Sequence, residues 1–249
     1  MGNRSVSDIP KVALLVETAR GYGRGLLRGI VRYGRLHGPW SFYVTPGDFE
    51  QAVPKMQQWG GTGIIARIET PRIAQAILKT GLPTIALDLS PSQLANDSPL
   101  AKLSEVDSVA HQAAKMAADH LLQCGFTRFG FVGIPDRVWS ARRHEGFCEH
   151  IRAAGFEPLT YPTPRKRRDQ DWERELGSLA NWLDQLPKPI AVMACNDDRV
   201  RQVLEACREA GILVPEQIAV IGVDNDELLC DLADPPLSSV ALNAEVGGY

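Results

Sequence analysis

Apolar residues in this chain come in short unbroken runs, and the longer stretches between the runs carry a 3.6-residue spacing. The runs at 11–17, 41–45, 63–68, 83–89, 129–134, 190–196 and 218–224 are rich in aliphatic residues and hardly alternate with polar ones. A strand buried on both faces reads this way, whereas a strand half in water alternates. Weaker runs at 103–106, 158–161 and 238–242 are further candidate strands. Between the runs, Tyr22, Leu26, Ile30 and Tyr33 fall on one helical face, and Val109, Ala113, Met116, Ala117 and Leu121 form a second stripe. Phe147, Ile151 and Ala154 make a third, and Val203, Leu204, Cys207 and Ala210 a fourth. Gly81, Gly125, Gly155 and Gly211 stand where helices should stop, because glycine tolerates the left-handed conformation that closes a helix. Strand and helix in alternation predict an α/β protein of parallel sheets flanked by helices on both faces.

The segment Cys124-Gly125-Phe126 separates four strong strands from a second set, so two lobes are expected, 9–124 and 125–236. The Pro235-Pro236 pair precedes a last short run, and 237–249 is expected to cross back to the first lobe. A chain of 249 residues with 44% hydrophobic content can bury two such cores. The net charge of -3 argues against a nucleic-acid surface on this segment, which would be strongly basic. No apolar run approaches the ~20 residues of a membrane helix. The first ten residues have no apolar stretch of the kind a secretory signal carries. Cys124, Cys148, Cys195, Cys207 and Cys230 are scattered, with no C-x-x-C pair, and read as small core residues of a cytoplasmic protein.

In parallel α/β sheets, ligands bind beyond the carboxyl ends of the strands. The residues standing there are Glu17, Thr18, Arg20, Tyr22 and Arg24 after the first strand, and Asp88 after the fourth. In the second half they are Trp139, Ser140, Arg142 and Arg143, then Asn196, Asp197, Asp198 and Arg199, then Asp224, Asn225 and Asp226. Planar polar side chains can bond neighbouring hydroxyls in pairs, and aromatic faces cover C–H surface, which is what a sugar requires of a pocket. Each residue also has a plainer reading. Asn196, Asp197 or Asp198 can cap a helix, Asp224 can serve a turn, Arg143 can be an exposed helix arginine and Trp139 can simply pack. Gly21-Tyr22-Gly23-Arg24-Gly25 lacks the third small residue of a dinucleotide fingerprint, since Leu26 stands there, and reads as a flexible entry into a helix. His37, His111, His120, His144 and His150 have no carboxylate or cysteine at metal-ligand spacing, and neither a nucleophile elbow nor a P-loop occurs. No metal, cofactor or catalytic set is therefore expected. Arg24, Arg28, Arg32 and Arg35 recur at helical spacing as a solvated face or an interface, and Arg165-Lys166-Arg167-Arg168 reads as a basic surface loop.

Four segments in order carry a resemblance: Arg143-His144-Glu145-Gly146-Phe147, Cys195-Asn196-Asp197, Val214-Pro215-Glu216 with 218–225, and 236–240. With these the chain resembles the LacI/GalR-type effector-binding domain, whose two-lobed fold is that of periplasmic sugar-binding proteins (type I). Within that class Ala19-Arg20-Gly21-Tyr22-Gly23-Arg24, Trp139 with Arg143, Trp182-Leu183-Asp184-Gln185-Leu186-Pro187 and 224–228 are most similar to the xylose operon regulator subgroup. The resemblance implies a non-enzymatic sensor that binds a monosaccharide effector, D-xylose first, in the cleft between its lobes. It also implies a homodimer, and DNA binding only through an AraC-type module that follows the sensor and lies outside this chain. By motif, Arg143 would hold sugar hydroxyls or the ring oxygen, Asn196 and Asp224 hydroxyls from the second lobe, and Asp88 hydroxyls from the first. Tyr22 and Trp139 would pack on the sugar or gate it, with Arg24 beside Tyr22 in the same set. Leu89 follows Asp88 where sugar-binding relatives often carry arginine, a departure in the first lobe. The rival expectations are a solute-binding protein of a sugar transporter and an α/β enzyme for a small polar substrate.

Overall fold

The computed structural model describes residues 9–44, 49–164 and 172–249, so the basic loop at 165–168 lies outside the described residues. Two compact units emerge. The first runs to Ser108 and includes Asn243–Tyr249; the second is Val109–Leu242.

In the first unit β1 (Lys11–Leu15), β2 (Ser41–Val44), β3 (Gly63–Arg67), β4 (Thr84–Leu87) and β5 (Ser104–Val106) form a parallel sheet in the order β2-β1-β3-β4-β5. Ala13 is opposite Tyr43 on one side and Ile64 on the other. The strands are apolar without alternation because both faces are covered. Ala13, Leu15, Ile64 and Ala66 meet Val53 and Met56 of α2 (Phe49–Trp59) and Ile73 and Ile77 of α3 (Pro71–Thr80). On the opposite face Val12, Leu14 and Ile65 meet Leu26 and Ile30 of α1 (Gly21–His37). Helix α3 is bounded by its own sequence. Thr70 Oγ1 accepts the Ile73 N–H at 3.2 Å, Pro71 opens the first turn, and Gly81 closes the last at φ 65°.

The second unit holds β6 (Phe129–Val132), β7 (Leu159–Thr160), β8 (Ile190–Ala194), β9 (Ile218–Val223) and β10 (Ser238–Val240), all parallel, in the order β10-β9-β8-β6-β7. One face packs on α4 (Ala110–Gln123) and α5 (Val138–Ala153), through Ala113, Ala117, Leu121, Phe147 and Ile151. The other packs on α6 (Trp172–Gln185) and α7 (Asp197–Glu209), through Leu179, Leu183, Val200 and Val203. The short α8 (Glu227–Leu232) follows β9.

Two boundaries differ from the sequence reading. Helix α4 belongs to the second unit, so the division lies at Ser108 and not at 124. Its alanine stripe allows α5 to come close: a methyl on Gly146 would meet the backbone and ring of His111. Gly125, at φ 84°, is a helix stop and no more. Strand β10 pairs with β9, Ser238 opposite Ile221 and Val240 opposite Val223, so the chain returns to the first unit at Asn243 and not at 237. That return is α9 (Ala244–Gly248), which lies on α1.

The glycines of α1 also differ from expectation. A methyl on Gly23 would fall on the Glu17 carbonyl, and one on Gly29 would fall on the Glu245 carbonyl of α9. At both positions the missing side chain permits a close backbone approach, a role that the sequence reading did not assign. Among the described residues, no helix is long and apolar enough to cross a membrane.

Candidate functional site

Arg143 organises the polar residues at the carboxyl ends of β6, β8 and β9. It sits on α5 with its side chain only 3% exposed. Nη1 donates to the Cys195 carbonyl at 2.6 Å, and Nη2 to Asp224 Oδ1 at 2.9 Å. Its Nε, also buried, has no hydrogen-bond partner among the described residues. The guanidinium carbon is 5.1 Å from the centre of the Trp139 ring. A buried cation needs both pairing and full hydrogen bonding, and here the pairing is met while one donor is left over. Trp139, Arg143 and Asp224 are thus brought together.

Asn196 adjoins them at 2% exposure. Its Oδ1 accepts the Arg199 N–H at 3.0 Å and caps α7, so the capping reading of this residue is correct. Asp224 and Asn225 follow β9 with φ of 108° and 48°, a left-handed turn without glycine. Asp197, 1% exposed, accepts the Asp226 N–H at 2.8 Å and the Ser239 hydroxyl at 2.5 Å. Burial pushes its carboxyl up to about 6. Burial likewise lifts the thiols of Cys195, Cys207 and Cys230 to about 11, so they stay protonated at neutral pH and are poor nucleophiles.

Further along the same strand ends, Arg199 forms a buried two-pronged ion pair with Glu175, at 2.5 and 3.1 Å. It also donates to Gln202 Oε1 at 2.6 Å and stands over the Tyr161 ring. Burial, with the Glu175 charge next in effect, pushes the Tyr161 hydroxyl up to about 12.

In the first unit Asp88 ends β4 at φ 52° and is 7% exposed. Oδ1 accepts the Ser108 N–H at 2.8 Å, and Oδ2 accepts Arg67 Nη2 at 2.7 Å. The Arg67 guanidinium is 5.5 Å from the centre of the Tyr22 ring. Tyr22 and Asp88 therefore meet through Arg67, a residue that the sequence reading passed over. The signal was a charge closing an otherwise apolar strand, Gly63-Ile64-Ile65-Ala66-Arg67. Leu89 is fully buried in the core, so the guanidinium beside Asp88 comes from β3 instead. Arg24 is two residues from Tyr22 and so on the opposite side of α1. Its Nη1 donates to the carbonyls of Ala19 at 2.7 Å and Thr18 at 3.4 Å. It lines a shallow groove with Leu27, Arg28, Val31 and Leu36. Among the described residues, no group of three or more His, Cys, Asp or Glu side chains could hold a metal ion.

Comparison with known proteins adds to this geometry. Residues 118–249 match the model of the periplasmic binding protein-like domain, and 11–104 match that of the XylR N-terminal domain. The xylose operon regulatory protein of Escherichia coli K12 is 29% identical over 243 residues, covering 96% of this chain and 61% of that protein. The protein of the same name from Haemophilus influenzae is 31% identical over 96% of this chain and 62% of its own length. The solved structure of the xylose-binding transcription activator xylR superposes with a TM-score of 0.77 at 25% identity, over 98% of this chain and 62% of that one. The chain thus spans about three-fifths of these relatives. With its match over more than half its length and its two parallel-sheet units, the chain belongs to the periplasmic binding protein-like domain family.

Proposed function

We propose that this chain is the effector-sensing part of a sugar-responsive transcription regulator, and that its effector is a monosaccharide, D-xylose first. The observation that carries the reading is Arg143, a buried guanidinium paired with Asp224, with Nε left unpartnered among the described residues and Trp139 against its face. Such a group offers a neutral polyol a charged donor already held in place, beside an acceptor and an aromatic wall. Asn196 adds an amide from the end of β8. Asp88 and Arg67, with Tyr22, form a second acid–guanidinium–aromatic group in the first unit. Each group is a candidate effector contact within its own unit. Arg24, whose guanidinium serves the Thr18 and Ala19 carbonyls, shapes the loop that precedes α1. The choice of D-xylose is supported by the similarity to xylose operon regulators and to a xylose-binding activator.

The chain acts as a sensor and not an enzyme. It is cytoplasmic and works as a homodimer that meets DNA only through an AraC-type module outside this segment. The outer face of α1, which sets Leu27, Val31 and the 63% exposed Leu36 among its arginines, is the surface this reading assigns to the homodimer contact.

Thermal unfolding against a panel of pentoses and hexoses tests the reading. A sugar at ~100 times its dissociation constant adds ~2.7 kcal/mol of stability, and D-xylose is expected to give the largest shift. Asp224→Ala should abolish that shift and Arg67→Met should reduce it. A chain that responds to no sugar would refute the proposal.

A further inference from the structure

We propose that Asp197 and Ser239 are positioning residues that hold the turn carrying Asp224 in the shape that receives the effector. The inference rests on the reading of Asp224 as an effector contact and extends it to what sets the contact in place.

The turn needs holding. Asp224 and Asn225 are consecutive left-handed residues, neither of them glycine, with φ of 108° and 48°. Such a conformation is costly and persists only when its surroundings over-determine it. Here three successive backbone amides are fixed from outside the turn. The Asp224 N–H donates to the Val240 carbonyl at 3.0 Å. The Asn225 N–H donates to Ser239 Oγ at 3.0 Å, and the Ser239 hydroxyl passes its own proton on to Asp197 Oδ1 at 2.5 Å. The Asp226 N–H donates to Asp197 Oδ2 at 2.8 Å. One buried carboxylate therefore secures two consecutive amides, one directly and one through a hydroxyl. It does so from the first residue of α7, next to Asn196.

The space for that carboxylate is made by Gly222 of β9, where a methyl would fall on Asp197 Oδ1. A methyl there would also meet Val200 Cγ2, so the glycine makes room for the start of α7 as a whole. The groups facing Asp197 are the Asp224 and Asp226 carboxylates, the Cys230 thiol on α8 and the Ser239 hydroxyl on β10. Burial, opposed by the two hydrogen bonds and helped by the neighbouring acids, places its titration at about 6. Protonated on Oδ1, the carboxyl can donate to Ser239 Oγ and still accept the Asp226 N–H at Oδ2, so the contacts to the turn survive the proton.

Amide hydrogen exchange on the sugar-free chain tests the staple without reference to any ligand. In Ser239→Ala the Asn225 and Asp226 amides should exchange at least ~10-fold faster, while those of β8 and β9 keep their protection; unchanged exchange overturns the staple. Titration calorimetry with D-xylose tests the positioning. Ser239→Ala should weaken binding ~10-fold and Ser239→Thr should restore it. Faster exchange with unaltered affinity in Ser239→Ala overturns the positioning role. If the wild-type chain binds no sugar at all, the sugar reading falls, and the exchange experiment still decides the staple.

Discussion

The cap at Asn196 uses one end of its side chain and leaves the other for the ligand contact proposed for it. Its Oδ1 is committed to the Arg199 N–H, and the cap makes no use of the amide NH2. Serine caps as well as asparagine but has no NH2 to offer. Asn196→Ser should therefore leave the unfolding midpoint almost unchanged and weaken sugar binding, as calorimetry would measure; equal affinity would confine Asn196 to capping. Glu175 makes the opposite case, a polar residue whose effect is on stability. Removing it leaves Arg199 charged and 3% exposed, with Nε already unpartnered among the described residues. Breaking a buried pair from one side costs ~3–5 kcal/mol, and Glu175→Ala should lose about that much in urea unfolding. Asn196 was legible in the sequence because a strand end followed by a helix is a local pattern. Glu175 was not, because nothing local marks its partner on the next helix.

Helix packing in both units is governed by where side chains are missing. Gly29 of α1 faces Glu245 of α9, and Gly146 of α5 faces His111 of α4. In an exposed helix, replacing glycine by alanine gains up to ~1 kcal/mol. At Gly29 the sign should reverse, because the methyl would fall on a backbone carbonyl that cannot move aside alone. Gly29→Ala should lower the stability of the first unit by ~1–3 kcal/mol, the range for overpacking. A stabilised variant would mean that α9 is free to shift. The sequence displayed these glycines, but not the backbone they approach. The same holds for Gly23, whose approach to the Glu17 carbonyl is not visible in the sequence.

For the whole molecule, Asp197 couples stability to pH. Its carboxyl is raised from 3.8 to about 6, chiefly by burial, so the folded chain keeps a proton in the window where the unfolded chain has released it. Stability then falls as pH rises from about 4 to about 6, and this group's contribution is fully present only below the lower value. A rise of that size in a single carboxyl corresponds to roughly 3 kcal/mol. Chemical unfolding at about pH 4.5 and about pH 7 should show about two-thirds of this contribution as the part of the pH dependence that Asp197→Asn removes. Acid thus favours the fold through the residue that holds the Asp224 turn.

Some of this was settled by the sequence alone. The runs at 190–196 and 218–224 are continuously apolar because β8 and β9 are covered on both faces, and that condition is written locally in each run. The same locality placed Asp88, Asn196 and Asp224 at strand ends. Tertiary structure alone decided the unit to which α4 and β10 belong, since an apolar stripe records that a face is buried and not what buries it. It alone decided the pairings as well. Arg67 and Asp88 are 21 residues apart, Asp197 and Ser239 are 42 apart, and Arg143 and Asp224 are 81 apart. Charge and hydrogen bonding act over a few ångströms of space, and separation along the chain carries no measure of that distance until the strands are in order.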